Sequence, residues 1–165
     1  MSVYVIHWNY ICILNVLHQI KEAKIEGKKI VFTNGCFDVI HAGHVLYLAD
    51  AKAQGDILVV GLNSDSSVKR LKGESRPIVP ATERKIVLEN LKSVDYVIVF
   101  EEDTPYELIT EIKPDVLVKG GDWQIKDIVG HDVVLSYGGT VESLLFINGL
   151  STTNIIEKIK RTYIN

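Results

Sequence analysis

The chain has 165 residues, of which 47% are hydrophobic and 24% are charged, and its formal net charge is −3. This composition predicts a globular protein with a continuous core and excludes disordered, collagen-like and coiled-coil classes. The negative charge argues against a nucleic-acid surface, which usually shows a basic excess. The two cysteines offer neither a disulfide framework nor a zinc-ligand spacing, so we expect a protein of the reducing cytoplasm.

The first 28 residues predict a helical extension ahead of the core. Residues 3–17 are apolar, but polar residues interrupt them and neither a basic flank nor a cleavage pattern accompanies them. They therefore predict neither a membrane span nor a signal peptide. Helical spacing predicts instead a buried stripe formed by Ile11, Leu14, Leu17 and Ile20. The same helix could serve as a contact between subunits.

From residue 29 to residue 161, β-branched runs alternate with longer periodic segments, which is typical of βα units and a parallel sheet. The predicted strands cover residues 30–33, 57–62, 96–100, 116–119 and 140–146. The predicted helices cover residues 43–54, 64–71, 82–92, 105–112 and 153–161. We expect Thr104 to cap the helix that starts at Pro105, and Gly55 to close the first long helix. Residues 1–165 are thus predicted to form one domain, with its core at residues 29–161.

The segment after the first predicted strand has the residue types of a phosphate site. Asn34-Gly35 ends the strand, and glycine permits a tight turn and close approach of a ligand to the backbone. His41 and His44 flank Gly43 at a predicted helix start, so both rings can lie on one face of its first turn. Free N–H groups and the helix dipole attract phosphate there. Two imidazoles could donate hydrogen bonds to charge that builds up as a phosphoanhydride breaks.

Each of these residues also has a plainer interpretation. A single histidine near a helix start is more often an exposed polar residue or a cap, and a histidine pair at this spacing can bind a metal. Asp38 could be a turn or capping carboxylate, and Cys36 a small buried residue. The cations at positions 69, 70, 72 and 76 lie in a predicted loop, where a charge run is usually solvated surface.

The ten residues Gly-Cys-Phe-Asp-Val-Ile-His-Ala-Gly-His at positions 35–44 match the signature GxFDxxHxGH. On these residues the chain resembles the cytidylyltransferase-like nucleotidyltransferases of HxGH type. The resemblance implies an α/β fold, a Rossmann-like three-layer sandwich with a central parallel sheet. One branch, the D-glycero-β-D-manno-heptose 1-phosphate adenylyltransferases, is similar from about residue 28 to residue 160. The matching segments are Asn63-Ser64-Asp65, Arg70-Leu71-Lys72-Gly73, Ser75-Arg76-Pro77, and residues 100–105, 117–122 and 151–156.

The resemblance implies the conversion of ATP and heptose 1-phosphate to ADP-heptose and pyrophosphate, without a covalent enzyme intermediate. It implies the stand-alone form of an activity that many bacteria fuse to a sugar kinase, so that a separate protein supplies the sugar phosphate. Mg²⁺ is expected with ATP, held mainly by phosphates, with Asp38 as a direct or water-mediated helper. The implied partners are ATP, a sugar 1-phosphate and a second copy in a homodimer, with no nucleic acid and no membrane.

The same resemblance implies the roles of individual residues. The expected catalytic residues are His41, His44, Lys72 and Arg84, although Arg84 could also be an ordinary surface residue. The expected nucleotide-binding residues are Thr33, Asn34, Gly35, Cys36, Phe37, Asp38, His41, Gly43, His44, Lys119, Gly120, Asp122, Ser151, Thr152 and Thr153. The expected substrate-binding residues are Asn63, Asp65 and Lys72. The run at 151–153 could cap a helix and contact phosphate at once.

Two alternatives remain open at this point. Sister enzymes that use CTP and glycerol 3-phosphate often carry an arginine shortly before the Ser-Thr-Thr, where this chain has Phe146-Ile147-Asn148-Gly149-Leu150. The missing arginine weakens that interpretation. A nucleotide-binding regulatory module without turnover is the other alternative, and the pair His41 and His44 counts against it.

Overall fold

The computed structural model describes residues 3–145 and 149–163, with the side chains of the first helix described from residue 13 onward. Its strands are β1 Ile30–Gly35, β2 Ile57–Asn63, β3 Tyr96–Phe100, β4 Val116–Gly120 and β5 Thr140–Leu144. Its helices are α1 Val3–Ile25, α2 Ala42–Lys52, α3 Asp65–Lys72, α4 Ala81–Glu89, α5 Tyr106–Ile112, α6 His131–Ser136 and α7 Thr152–Tyr163, with a 3-10 turn at Ile125–Asp127. Among these helices, none has both the length and the apolar character needed to span a bilayer.

The strands form one parallel sheet in the order β3-β2-β1-β4-β5. β1 pairs with β2 along its whole length, from Ile30 opposite Ile57 to Gly35 opposite Leu62. The chain moves outward from β1 to β3 and then returns to the other side of β1. The carboxyl ends of β1 and β4 therefore flank the switch point where such sheets bind ligands. The sheet confirms the predicted α/β class.

Both faces of the sheet are covered, which explains the continuous apolar runs of its strands. Val31, Leu58 and Val60 point to one face, where they pack with α2 and α4. The alternate positions, including Ile30 and Phe32, point to the other face, where they pack with α1, α5 and α6. This arrangement leaves the carboxyl edge of the sheet free for a site.

Helix α1 lies on the second face, but its buried stripe differs from the predicted one. Leu17 and Ile20 are buried, whereas Leu14 is half exposed, and the side chain of Ile11 lies outside the described residues. A stripe with a strict three-residue spacing drifts about 60° around an α-helix at each step, because one turn takes 3.6 residues. Leu14 consequently lies off the packed face.

Most predicted elements are confirmed with small shifts in their ends, and a few details were wrong. α5 begins at Tyr106 and has Pro105 at its N-cap with no side-chain capping bond, so Thr104 is not the cap. The first long helix ends at Lys52, three residues before Gly55. The 3-10 turn and α6 were not predicted, since six residues or fewer are too short to show a period. The predicted end of the last strand at Phe146 lies outside the described residues.

The packing of α1 predicts a clear difference between two isoleucines of that helix. Ile20 is 1% exposed, and Ile25 is 86% exposed. Ile20→Ala should lower the free energy of unfolding by about 2–5 kcal/mol, because it opens a cavity in the core. Ile25→Ala should change it by less than about 0.5 kcal/mol. Urea unfolding followed by circular dichroism measures both, and equal losses would contradict this placement of α1.

Candidate active site

The turn at residues 35–41, between β1 and α2, has an unusual backbone. Phe37 has φ 45° and Val39 has φ 55°, which is the left-handed region that bulky and β-branched residues avoid. Such conformations persist only where the surroundings hold them in place. Phe37 is held by the core of the first face, where its ring is buried. Asp38, between the two, is held by hydrogen bonds.

The carboxylate of Asp38 has no exposed surface and is surrounded by donors from residues 73–80, the 73–80 loop. The guanidinium of Arg76 donates through Nε over 2.5 Å. The N–H groups of Ile78 and Val79 donate to the two carboxylate oxygens over 2.9 Å each. Burial alone would raise the pKa of Asp38, but these donors and the charge of Arg76 hold it below its usual value.

The two histidines of the signature form a reciprocal cap at the start of α2. His41 is the N-cap residue, and its Nδ1 accepts the N–H of Gly43 over 3.1 Å. Nδ1 of His44 accepts the N–H of His41 over 3.4 Å. The two rings are stacked, with centroids 3.9 Å apart and planes 28° apart. The edge of Phe37 lies against the His44 ring, 5.4 Å between centroids.

This cap determines which ring nitrogen faces a ligand. Because each Nδ1 accepts a backbone N–H, the neutral rings carry their protons on Nε2. Burial lowers the pKa of His41, and burial together with the charge of His41 lowers the pKa of His44 to about 4. At neutral pH the pair of this structure therefore offers two uncharged Nε2–H donors.

The end of β4 meets the end of β1 at the same edge. Nζ of Lys119 donates to the side-chain oxygen of Asn34 over 3.2 Å. Burial lowers the pKa of Lys119, and the nearby charge of Lys72 acts in the same direction. Among the residues that the structure describes, Lys119 forms no ion pair with a carboxylate. An incoming anion would therefore be stabilised by its ammonium group.

Cys36 is half-buried and lies among cations. Burial raises the pKa of its thiol, against the opposing charges of Lys72, Arg84, Arg76 and Lys119. The thiol is thus neutral at physiological pH, which agrees with the interpretation of Cys36 as a small packed residue rather than a nucleophile. The same charges show that several basic side chains converge at this turn.

The start of α7 is joined to the 35–41 turn. Oγ1 of Thr152 donates to the backbone carbonyl of Asp38 over 2.7 Å. Ser151 accepts the N–H of Asn154 through its hydroxyl, which is a capping contact. A Cβ on Gly43 would lie 3.1 Å from Cβ of Leu150, so glycine allows α2 and the chain before α7 to approach. Thr153, the residue after Thr152, is exposed.

Arg84 lies beneath the site rather than on its surface, and it is 1% exposed. Its guanidinium donates to the backbone carbonyls of Cys36, Asn63 and Val79 and to the carboxylate of Asp65. It therefore ties the 35–41 turn to the end of β2 and to the chain before α4. A direct contact between Arg84 and phosphate remains a prediction, and every such contact must be made from this buried position.

The three expected substrate-binding residues lie in different surroundings. Asn63 is buried and donates to the hydroxyl of Ser67 over 3.0 Å. Asp65 is partly exposed and accepts the N–H of Ala81 over 2.8 Å as well as Arg84. Lys72 is exposed at the end of α3, and within the described parts of the chain it has no recorded hydrogen bond or ion pair. Its ammonium is thus available to a ligand.

The remaining expected residues lie within or just beyond β1 and β4. Thr33 is fully buried in β1, and its hydroxyl is 2.5 Å from that of Tyr47 inside the fold, so its side chain does not face a ligand. Gly35 and Gly120 end β1 and β4, and Asp122 is exposed beyond β4.

Trp123, which lies near the end of β4, was not among the residues predicted for the site. Its indole donates to the carbonyl of Gly120 over 3.0 Å, with 47% of the residue exposed. An aromatic residue two positions after the strand-end glycines was the available signal.

The donor set does not provide a metal cage. Within residues 3–145 and 149–163, no group of three or more His, Cys, Asp or Glu side chains is placed to hold an ion. Both oxygens of Asp38 already accept hydrogen bonds from the 73–80 loop. A carboxylate that binds Mg²⁺ needs a free lone pair directed at the ion. The residues present therefore do not fit an ion that the protein itself coordinates.

The lowered pKa of His44 predicts a loss of stability in mild acid. Below about pH 6.5 the His44 ring becomes protonated in the unfolded chain, whereas in the folded chain it stays neutral down to about pH 4. Lowering the pH through this range therefore favours the unfolded chain. The melting temperature of the wild type should therefore fall as the pH is lowered from about 7.5 to about 5. His44→Gln should reduce that fall by on the order of 3 °C. The effect is modest because the His44 ring is partly exposed. Calorimetry at each pH measures it. An equal fall in both proteins would refute the burial of His44.

Comparisons with known proteins identify the family of this chain. The model of the cytidylyltransferase-like family matches residues 32–158. The bifunctional protein HldE of Geobacter metallireducens is 60% identical over 144 residues, which cover 87% of this chain and 29% of that protein. The bifunctional protein HldE of a Marinomonas species is 58% identical over 144 residues, covering 87% of this chain and 30% of that protein. The chain thus spans less than a third of these relatives.

Solved structures show the same fold. The lipopolysaccharide core biosynthesis protein of Thermoplasma volcanium is 30% identical with a TM-score of 0.60, and the match covers 73% of this chain and 97% of that one. Pantothenate synthetase of Thermus thermophilus is 14% identical with a TM-score of 0.55 over 81% of this chain and 64% of that one, which is a likeness of fold alone. By the match to its model and the identity to the Thermoplasma protein, the chain belongs to the cytidylyltransferase-like family.

Proposed function

We propose that this chain is an adenylyltransferase that converts ATP and D-glycero-β-D-manno-heptose 1-phosphate to ADP-heptose and pyrophosphate. Membership of the cytidylyltransferase-like family fits nucleotidyl transfer. Identity of 55–60% to several proteins named HldE supports the heptose branch. The similarity to a lipopolysaccharide core biosynthesis protein supports a role in glycan precursor synthesis.

The observation that carries the proposal is the pair of Nε2–H donors at the start of α2. A phosphate oxygen of the sugar attacks the α-phosphorus of ATP, an O–P bond forms, and the bond to the β-phosphate oxygen breaks with release of pyrophosphate. His41 and His44 donate hydrogen bonds to the phosphate oxygens where negative charge increases. The rings act in their neutral form, because protonation at Nδ1 would break the caps that hold them. The rest of the rate enhancement comes from alignment of the two phosphates.

The cations around the turn supply binding. Lys119 lies at the end of β4 without a carboxylate partner among the described residues, and Lys72 is exposed at the end of α3. We assign both to the triphosphate, together with the hydroxyls of residues 151–153. The N–H groups of His41, Gly43 and His44 are not part of this assignment, because each already has a partner within the first turn of α2. We propose that Asp122, exposed beyond β4, accepts hydrogen bonds from ribose hydroxyls.

Mg²⁺ enters this proposal as a companion of ATP. Because the donor set does not fit an ion held by the protein, we propose that the nucleotide phosphates hold it. Its general contribution would be to neutralise phosphate charge. We further propose a homodimer in the cytoplasm, where ATP and sugar phosphates are found.

The choice of nucleotide and acceptor is tested by pyrophosphate release. ATP, CTP, GTP and UTP are each assayed with D-glycero-β-D-manno-heptose 1-phosphate and with glycerol 3-phosphate under steady-state conditions. We expect release with ATP and the heptose phosphate at least about tenfold above every other pair. Release only with CTP and glycerol 3-phosphate would assign the chain to the sister enzymes. Binding of nucleotide with no release from any pair would indicate a regulatory module.

The role of the histidines is tested separately. His41→Ala and His44→Ala should each lower kcat by on the order of a hundredfold, because each removes a donor from the developing charge, with a smaller effect on ATP binding. His18→Ala is the matched control, since His18 is exposed on α1. Steady-state kinetics and calorimetric titration with ATP separate the two effects. Unchanged kcat in either site variant would remove that histidine from the mechanism.

A further inference from the structure

We infer that Asp38 is a positioning residue that fastens the 73–80 loop over the site and orients Arg76 toward the phosphates, and that it does not bind Mg²⁺. The inference deepens the proposed function and rests on it for the identity of the ligand. It differs from the expectation that Asp38 helps to hold a metal ion. Arg76 was absent from the residues that the sequence assigned to the site.

The first step of the argument is the number of bonds that reach Asp38 from one loop. Its side chain has no exposed surface, and Arg76, Ile78 and Val79 all donate to it. The loop makes no comparable set of bonds elsewhere among the described residues. An ion could reach this carboxylate only by displacing these donors, and each displaced N–H would be left unpaired at a cost.

The second step concerns the backbone of the 35–41 turn. Phe37 and Val39 both have positive φ and flank Asp38 on either side. The carbonyl of Asp38 also accepts the hydroxyl of Thr152, so this residue joins the turn to α7 as well as to the 73–80 loop. Asp38 thus holds together three segments that the proposed phosphate site requires, and the strain beside it is balanced by those bonds.

The third step concerns Arg76. Its contact with Asp38 uses Nε, and its side chain is 20% exposed. The guanidinium has two further nitrogens, and a carboxylate bound at Nε restricts the group while leaving both of them able to donate. The charge of Arg76 reaches Cys36, as do the charges of Lys72 and Lys119. The loop therefore brings a third cation to the place where phosphate is expected.

The matched variants are Asp38→Asn, which removes the charge at nearly constant volume, and Asp103→Asn. Asp103 forms a similar ion pair with Arg70 over 2.6 Å, but both side chains are about half exposed. That pair lies outside the residues assigned to the site. A third variant, Arg76→Lys, keeps the charge and loses the planar fork.

The first measurement needs no substrate. Hydrogen exchange followed by mass spectrometry reports the amides of Ile78 and Val79, which Asp38 accepts directly. Asp38→Asn should accelerate their exchange by about tenfold or more, with the strands of the sheet unchanged as evidence of a folded protein. Asp103→Asn should leave these two amides as they are. Unchanged exchange in Asp38→Asn would overturn the inference.

The second measurement follows pyrophosphate release against Mg²⁺ concentration. Asp38→Asn should lower kcat/KM for ATP by on the order of a hundredfold, with the Mg²⁺ concentration for half-maximal rate unchanged. Arg76→Lys should raise KM for ATP by about tenfold, and adding Asp38→Asn to it should cost less than in the wild-type background, because the two residues act through one contact. A rise in the Mg²⁺ requirement specific to Asp38→Asn would restore the metal role and refute ours. If the wild type releases no pyrophosphate, the proposed function fails. The exchange measurement still tests whether Asp38 holds the 73–80 loop in place.

Discussion

A carboxylate with no exposed surface persists in a fold only where donors surround it, and those of Asp38 come from 38 to 41 residues further along the chain. That requirement determines the path of the 73–80 loop. It also keeps the 35–41 turn in a conformation that Phe37 and Val39 would not adopt alone. The guanidinium of Arg84 is also buried and likewise needs partners, and it donates to the carbonyl of Cys36 in the same turn. The site is therefore built between two buried charges of opposite sign.

The consequence for chemistry is a rigid frame that holds two neutral imidazoles. The caps at Nδ1 hold both imidazoles of His41 and His44 in the neutral form with Nε2–H directed away from the helix backbone, because a protonated Nδ1 could not accept an N–H. Burial lowers the pKa of both rings and so keeps them neutral. Phosphoryl transfer needs little covalent participation by the protein, so two fixed donors directed at developing charge suit the proposed reaction.

The comparisons separate what the fold provides from what the site provides. Pantothenate synthetase shares the architecture at 14% identity, and that likeness carries no information about the substrate of this chain. The sheet places the ends of β1 and β4 side by side, which creates a crevice suited to many ligands. We propose that the histidine pair, Lys119 and the 73–80 loop make that crevice suited to phosphates.

The sequence by itself determined the parallel sheet, most helices and the histidine pair, because these depend on residues that are close together in the chain. β-branched runs, strand-end glycines and the spacing of His41 and His44 are local signals. Only the tertiary structure decided that Arg84 is buried, that Leu14 leaves the packed face of α1, and that Asp38 faces a loop instead of solvent. Each of these depends on which distant segment lies opposite the side chain. A local pattern cannot specify that choice, since the path of the 73–80 loop is set by the donors and acceptors that it meets on folding.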